Sequence, residues 1–211
     1  LSHELRTPLQ SMLGWIRLLE NGHLDARAAA KALETIERNT KAQVRLIEDL
    51  LDVSRIVTGK LHLELRPVDL VPVVENAVDG VRSAAEARGI QLRVSLGRAA
   101  SDVECDPLRL QQVLWNLLSN AVKFTPPGGV VHVRLERAGR EAVIKVRDTG
   151  KGISPAVLPY IFEPFRQADS STTRKHGGLG LGLAVARHVV EIHGGTIEAA
   201  SAGEGLGSTF T

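Results

Sequence analysis

Residues 116–124 read Asn-Leu-Leu-Ser-Asn-Ala-Val-Lys-Phe, and they close an amphipathic segment that the sequence predicts as a helix over 107–123. Asn116, Asn120 and Lys123 recur at i, i+4 and i+7, so two amides and one ammonium line a single helical face. Amide oxygens are hard ligands that can share Mg²⁺ with nucleotide phosphates, and the lysine adds charge for the same phosphates. The simpler interpretation is a polar, solvent-facing surface. Two asparagines in a helix interior lower its helix propensity, which favours the functional interpretation.

Proline and glycine divide the chain into two parts. There is no proline between Pro8 and Pro67, whereas fourteen of the twenty glycines lie at or beyond position 128. The first part repeats seam residues at alternating spacings of three and four, the pattern of packed helices. These residues are Leu5, Leu9, Met12, Ile16, Leu19, and then Leu33, Ile36, Thr40, Gln43, Ile47, Leu50, Ser54 and Val57. The dipeptide Asn21-Gly22 separates the two runs, which predicts a helical hairpin with its second helix over 27–58.

Two such helices cannot cover each other's apolar stripes completely. An antiparallel hairpin usually solves this by pairing with a second copy in a four-helix bundle. The sequence therefore predicts a homodimer.

Beyond Gly59 the pattern changes to short segments in which apolar and polar residues alternate, as in strands with one covered face. The candidate strands are 61–65, 90–96, 130–135, 142–146 and 196–199, and the candidate helices are 71–88, 107–123 and 181–193. We therefore predict an α+β chain. A helical hairpin would occupy residues 1–59, and an α/β sandwich, a mixed sheet with helices on one face, would occupy residues 60–211.

The composition excludes several classes of protein. The 211 residues include 26 Lys and Arg against 24 Asp and Glu, well mixed, so neither half offers a basic surface for nucleic acid. No run approaches the ~18 apolar residues that a membrane span needs. The single Cys105 allows no internal disulfide, which is consistent with a reducing, cytoplasmic compartment. Because the chain starts at Leu1 without Met, we expect a fragment, and a sensor or membrane anchor of the parent protein would lie upstream.

The first residues contain a candidate nucleophile. His3 and Glu4 precede the seam residues Leu5 and Leu9, which predicts that His3 lies on the flank of the bundle. An exposed imidazole beside a carboxylate suits attack on phosphorus, because the carboxylate can hold the proton of one ring nitrogen while the other attacks. Taken alone, a His-Glu pair on a helix is more often ordinary surface.

An acidic residue before a glycine-rich turn forms the next candidate site. Residues 146–153 place Asp148 at the end of a predicted strand, followed by Gly150 and Gly152. A carboxylate can accept a hydrogen bond from an exocyclic amine such as that of adenine, and the glycines let a flat ring approach the backbone. An Asp-x-Gly-x-Gly turn is common, so by itself it is a weak indication.

A second glycine-rich stretch opens the last predicted helix. Residues 177–183 read Gly-Gly-Leu-Gly-Leu-Gly-Leu, and N–H groups at such a helix start can hold phosphate. A dinucleotide-binding fingerprint does not fit, because no strand directly precedes the glycines. The polar stretch 167–176, which includes Arg174 and Lys175, predicts a mobile lid over a nucleotide instead.

In this order, the clusters resemble the transmitter core of a two-component sensor histidine kinase. His3 corresponds to the H box and residues 116–124 to the N box. Residues 148–152 correspond to the first glycine box, 162–165 to the F box and 178–182 to the second glycine box. Each box alone is weakly diagnostic, but the ordered set is highly specific, and the resemblance covers essentially all 211 residues.

The resemblance implies a dimerisation and histidine-phosphotransfer hairpin, followed by a catalytic ATP-binding domain with the sandwich shared by gyrase, the mismatch-repair ATPases and a heat-shock chaperone. It implies that Asp148 reads the adenine amino group and that Asn116 and Asn120 hold Mg²⁺. Lys123 would meet the phosphates. The other positions implied to bind ATP are Phe124, Gly150, Gly152, Arg174, Lys175, Gly178, Gly180 and Gly182.

For the reaction, the resemblance implies that His3 receives the γ-phosphoryl group of ATP, with Glu4 as its base, and passes it to an aspartate of a response-regulator receiver domain. Arg174 or Lys175 would steady the γ-phosphate. Thr7 matches a motif in which a threonine orients water to dephosphorylate the regulator.

Two other functions remain open from the sequence. A Mg-dependent ATPase clamp of the gyrase or chaperone type would hydrolyse ATP without a phosphohistidine, but it leaves the hairpin unexplained. A non-catalytic signalling scaffold would only dimerise and bind a partner, and the intact asparagines and glycine boxes argue against it.

Overall fold

A computed structural model describes residues 2–22, 24–97, 102–139, 141–166 and 179–211. It describes the backbone alone for Ser2, His3, Glu4, Arg45, Asp49, Val57 and Asp102. The helices within these ranges are α1 (Ser2–Glu20), α2 (Ala26–Val57), α3 (Leu70–Ala87), α4 (Pro107–Phe124) and α5 (Gly182–Ile192). The strands are β1 (Arg66–Asp69), β2 (Gln91–Leu96), β3 (Asp102–Cys105), β4 (Val130–Ala138), β5 (Glu141–Asp148), β6 (Ala199–Ala200) and β7 (Ser208–Phe210).

The first two helices form the predicted hairpin. Side-chain contacts set their register: the Asn39 amide donates to Ser11 Oγ at 3.2 Å, and the Thr40 hydroxyl donates to Met12 Sδ at 3.1 Å. Asp25 caps α2 by accepting from the N–H of Ala28 at 2.7 Å. The helix bounds agree with the heptad pattern to within one residue at each end of α2.

Both hairpin helices keep exposed apolar side chains. Those on α2 lie at helical spacing on one face, and those on α1 include a second stripe. The large apolar residues that are at least 39% exposed here are Leu9, Leu13, Ile16, Leu18, Leu33, Val44, Ile47 and Leu51. The two helices therefore leave apolar surface in contact with water.

A five-stranded mixed sheet follows, in the order β2-β4-β5-β7-β6. Strands β2 and β4 are parallel, and the other neighbours are antiparallel. Strands β1 and β3 form a separate antiparallel pair. The register of β5 with β7 places Asp148 opposite Ser208.

Helices α3, α4 and α5 pack on one face of this sheet and enclose the core. Alternate residues of β4 point into it, and Val131, Val133 and Leu135 are at most 1% exposed. Leu114 and Leu118 of α4 are equally buried. Burial of each such side chain contributes roughly 1.5–3 kcal/mol, so this aliphatic layer holds the α4 helix in place. The predicted α+β sandwich is confirmed.

Three details of the strand prediction are wrong. The last candidate strand, predicted at 196–199, is observed at Ala199–Ala200. Residues 61–65 alternate apolar and polar side chains but form no strand, because the N–H of Glu64 is bound by the Asp106 carboxylate at 3.2 Å rather than by a neighbouring strand. The chain pairs instead at β1, with β3 as its partner. Strands β3 and β7 were not predicted, since each has only four or three residues.

None of the described helices combines the length and the apolar composition that crossing a membrane requires.

Asp106 caps the start of α4. Its Oδ1 accepts from the N–H groups of Leu108 at 3.0 Å and Arg109 at 3.2 Å, while its Oδ2 accepts from Glu64. Burial alone would raise the pKa of this carboxyl, but the three backbone donors and the nearby Arg109 charge lower it below its ordinary value. The ionised cap therefore stabilises the fold.

Asp106→Asn keeps the shape of the cap and removes its charge. Because the pKa of Asp106 is lower in the folded protein, ionisation stabilises the fold above the pKa of the unfolded chain, and this stabilisation is lost as the pH falls through the folded pKa. We expect D106N to lower the free energy of unfolding at neutral pH by about 1 kcal/mol. In urea unfolding, the difference from wild type should shrink below about pH 4.

The control is Asp79→Asn, which removes an exposed carboxylate paired with Arg82 on α3. Such surface pairs contribute little, so D79N should unfold like wild type at each pH. A D106N difference that stays constant on acidification would contradict the prediction.

Candidate functional site

Helix α4 carries Asn116, Asn120 and Lys123, the polar residues predicted to face a nucleotide. Asn116 is 6% exposed, and its Nδ2 donates to the carbonyl of Gly182 at 3.1 Å. Gly182 is the first residue of α5, so this bond ties the asparagine to the start of the neighbouring helix. Asn120 lies one turn further along α4 and is partly buried. The structure therefore brings the N box and the second glycine box together.

Phe124 ends α4 beside two cations. The Lys123 ammonium lies 5.0 Å and the Lys151 ammonium 4.5 Å from the centre of its ring. Both distances suit cation–π contacts. This end of α4 is therefore positively charged, which suits a neighbouring phosphate.

Asp148 ends β5 with its carboxylate buried and fixed. The residue is 5% exposed, its Oδ1 accepts from the N–H of Gly150 at 2.7 Å, and its Oδ2 accepts from the Ser208 hydroxyl. Each carboxylate oxygen has two acceptor positions, so the group can still accept from a ligand. Donors on both oxygens hold the carboxylate in one orientation.

The turn after Asp148 touches the end of α4. The N–H of Lys151 donates to the carbonyl of Phe124 at 3.1 Å. A Cβ at Gly150 would lie 2.6 Å from both that carbonyl oxygen and Asp148 Oδ1, so no larger residue fits. The first glycine box is thus packed directly against the N box.

A closing loop near the end of the chain completes this region. The N–H of Gly207 donates to the carbonyl of Gly150 at 3.1 Å. Gly152 has φ +67°, and a side chain there would collide with the carbonyl of Gly203. The position of Gly152 therefore depends on this loop as well as on its own turn.

The F box adjoins the second glycine box. The N–H of Phe165 donates to the carbonyl of Gly180 at 3.1 Å, and Phe162 packs edge-on against Phe210 with the ring centres 6.3 Å apart. Leu181 precedes α5 and makes no side-chain hydrogen bond to its first turn. The positive end of the helix dipole therefore faces this part of the site.

Of the remaining predicted residues, three belong to helix α1. His3 and Glu4 lie in the first turn of α1, and Thr7 is exposed on the same helix. Arg174, Lys175 and Gly178 lie outside the described residues.

Two contacts were not predicted from the sequence, one beside the site, made by Ser208, and one at the opposite end of α5 from Gly182, made by His193. Ser208 holds the Asp148 carboxylate from sixty residues away, and only the pairing of β5 with β7 could have indicated it. His193 accepts from the N–H of Asp106 at 3.0 Å through Nε2, and its Nδ1 lies 2.7 Å from the carbonyl of Val189. The proton therefore belongs on Nδ1, and the ring joins the end of α5 to the start of α4.

Two family descriptions and several known proteins match the chain. Residues 1–59 match the His Kinase A (phospho-acceptor) domain, and residues 105–211 match the family described as histidine kinase-, DNA gyrase B-, and HSP90-like ATPase. All of the chain aligns with the circadian input-output histidine kinase CikA of Synechococcus elongatus at 40% identity, and with the hybrid signal transduction histidine kinase D of Dictyostelium discoideum at 37%. The chain spans 28% and 17% of the lengths of these two relatives.

A solved structure shows the same architecture. Full-length ShkA in complex with AMPPNP is 31% identical, with a TM-score of 0.74 over 99% of this chain and 43% of ShkA. The match to both family descriptions, together with the relatives, confirms the resemblance given by the ordered boxes. The chain belongs to the histidine kinase family: it contains the phospho-acceptor domain and the ATPase-like domain of a sensor histidine kinase transmitter core.

Proposed function

We propose that the chain transfers the γ-phosphoryl group of ATP to a ring nitrogen of His3 and then to an aspartate of a response-regulator receiver domain. The observation that supports this most is the direct contact among three boxes: Asn116 with Gly182, and Phe124 with the Gly150 turn. The acceptor histidine would belong to residues 1–59, and ATP would bind to residues 60–211. The clamp-type ATPase gains no support from the relatives, which are histidine kinases.

The ATP pocket would lie between α4, the Asp148 turn and the start of α5. Asp148 would accept from the adenine amino group, while Gly150 and Gly152, where a side chain would collide with Phe124 and Gly203, would let the turn pack closely enough to hold Asp148 in place. The N–H groups at Gly180 and Gly182, together with Lys123, would hold the phosphates. Gly178 of the second glycine box, with Arg174 or Lys175 of the lid at the γ-phosphate, completes this proposal from the sequence alone.

A divalent cation fits the donor set on α4. Asn116 uses its Nδ2 on the Gly182 carbonyl, which leaves its Oδ1 to bind a ligand, and Asn120 offers a second amide oxygen one turn away. No three His, Cys, Asp or Glu side chains group into a metal site in the part of the chain that the structure describes. The two amides are therefore the proposed Mg²⁺ ligands. Bound Mg²⁺ would neutralise phosphate charge during transfer.

In the transfer step, a ring nitrogen of His3 forms a bond to the γ-phosphorus while the bond between that phosphorus and the bridging oxygen breaks, and ADP leaves. Glu4 would hold or take the proton of the other ring nitrogen. Thr7, one turn further along α1, would orient water when the phosphorylated regulator is hydrolysed.

A homodimer would cover the exposed apolar stripes of the hairpin. Leu33, Val44, Ile47 and Leu51 repeat along one face of α2, and Leu9, Leu13 and Ile16 repeat along α1. Packing against a second hairpin would remove both stripes from water in a four-helix bundle. We place this core in the cytoplasm, where ATP and the regulator are available.

His3→Gln tests the acceptor. After incubation with γ-labelled ATP, wild type should carry an acid-labile label, and H3Q should carry none, because the amide cannot form the phosphoramidate. His62→Gln, an exposed histidine outside the hairpin, is the control and should label normally. An acid-labile label that survives H3Q would rule out His3.

Gly150→Ala tests the nucleotide pocket. The added Cβ would meet Phe124 O and Asp148 Oδ1 at 2.6 Å, so the turn must shift. We expect at least a roughly tenfold loss of affinity for a fluorescent ATP analogue, since a lost charged hydrogen bond is worth about 1.5–3 kcal/mol. Gly14→Ala, with open space around it in α1, should bind the analogue like wild type. Equal affinity of the two variants would contradict this pocket.

Sedimentation equilibrium tests the dimer. Wild type should show twice the 22.7 kDa mass of one chain. Replacing Val44 and Leu51 by Glu would put charge into the exposed apolar stripe of α2 and should give the monomer mass. The control Leu108→Glu alters a 75% exposed leucine on α4 and should leave the mass unchanged. A monomeric wild type would refute the dimer.

A further inference from the structure

A buried carboxylate joins the hairpin to the ATP-binding part of the chain. Asp52 of α2 is only 3% exposed. Arg109 Nη1 of α4 lies 2.9 Å from both carboxylate oxygens, and Gln112 Nε2 donates to Asp52 Oδ2 at 2.6 Å. Gln112 also accepts from the same Arg109 nitrogen at 3.0 Å. We call Asp52, Arg109 and Gln112 the interdomain cluster.

Apolar side chains next to Asp52 on α2 also join the hairpin to the ATP-binding part of the chain. Val53 and Ile56, which follow Asp52 on α2, pack against the hydrophobic core of the sheet and its helices. A buried ion pair adds little net stability compared with apolar residues of the same size, but it restricts which arrangement of the partners is allowed. The contact therefore selects one orientation of α4 on the hairpin.

The cluster lies close to the level of His3 along the hairpin. Asn39 contacts Ser11 and Thr40 contacts Met12, so this antiparallel register puts residue 3 opposite residues 47–49. Asp52 is three to five residues further along α2, about 5–8 Å at the helical rise. In a symmetric bundle, the acceptors of both protomers share this level.

On α4, the interdomain cluster lies one helical turn from the residues proposed to bind the nucleotide. Gln112 and Asn116 are i and i+4 on α4, about 6 Å apart along the axis. Asn116 contacts Gly182, while Gln112 contacts Asp52. Helix α4 thus contacts the hairpin near the level of His3 and, one turn further along, the proposed phosphate site.

We propose that Asp52 is a positioning residue for phosphoryl transfer: through Arg109 and Gln112, it holds the ATP-binding domain at the level of the hairpin where His3 lies. Holding donor and acceptor in one arrangement raises the rate without changing how tightly ATP binds. This inference rests on the proposed transfer from ATP to His3.

The test uses the full chain with Asp52→Asn, which keeps the shape of the side chain and removes its charge. We expect the rate of His3 labelling at saturating ATP to fall about ten- to a hundredfold, whereas the Kd of a fluorescent ATP analogue changes less than about twofold. The matched control is Glu37→Gln, which removes an exposed carboxylate paired with Lys41 on the same helix and should label at the wild-type rate.

Two further variants keep the test decisive. Gln112→Glu places a like charge against Asp52 from the α4 side, and it should also slow labelling if Asp52→Asn fails to fold. The double variant D52N/R109Q should be no slower than D52N alone, because the two residues act in one contact.

Unchanged or faster labelling in D52N and Q112E would overturn the inference, as would a parallel loss of analogue binding. Wild type in the same assay separates the two proposals. If wild type carries no label on His3, the proposed function fails, whereas normal labelling of D52N in an active series contradicts only the role of Asp52.

Discussion

Burial of one face of α4 determines where the polar face of this helix lies. Leu114 and Leu118 are almost fully enclosed, and the opposite sides of the same helix contact α5, the Asp148 turn and α2. A slip of α4 by one residue would rotate every side chain by about 100° and break all three contacts together. The aliphatic packing therefore sets the geometry of a site made of amides, carboxylates and backbone groups.

Local signals in the sequence were sufficient for the helices. Asp106 and Pro107 predict the start of α4, and the observed helix Pro107–Phe124 differs from the prediction by one residue. The hairpin follows equally from its heptad pattern. The strand predicted at 61–65 is wrong. Alternating apolar and polar residues indicate a segment with one buried face, but they do not show that a neighbouring strand is present. Here the Asp106 side chain accepts from the backbone N–H of Glu64 instead.

In the candidate site, too, residues in local motifs could be predicted, whereas long-range contacts could not. Asp148, Gly150 and Asn116 were predicted from short motifs with their own chemistry, and the structure brings their segments into contact. Ser208 and the interdomain cluster could not be predicted, since their contacts join residues 57 to 60 positions apart and depend on strand register and helix packing. The roles of His3, Glu4 and Thr7 remain predictions carried by the family resemblance.

The pairing of β7 with β5 has a consequence for how the protein is made. Ser208, which holds the Asp148 carboxylate, is synthesised sixty residues later. At about 5–20 residues per second, the ribosome needs roughly 3–12 s to bridge that interval. The hairpin is synthesised well before then, so a growing chain carries both hairpin helices before Ser208 is available to hold Asp148. Under the proposed function, phosphorylation of His3 would therefore follow the synthesis of β7.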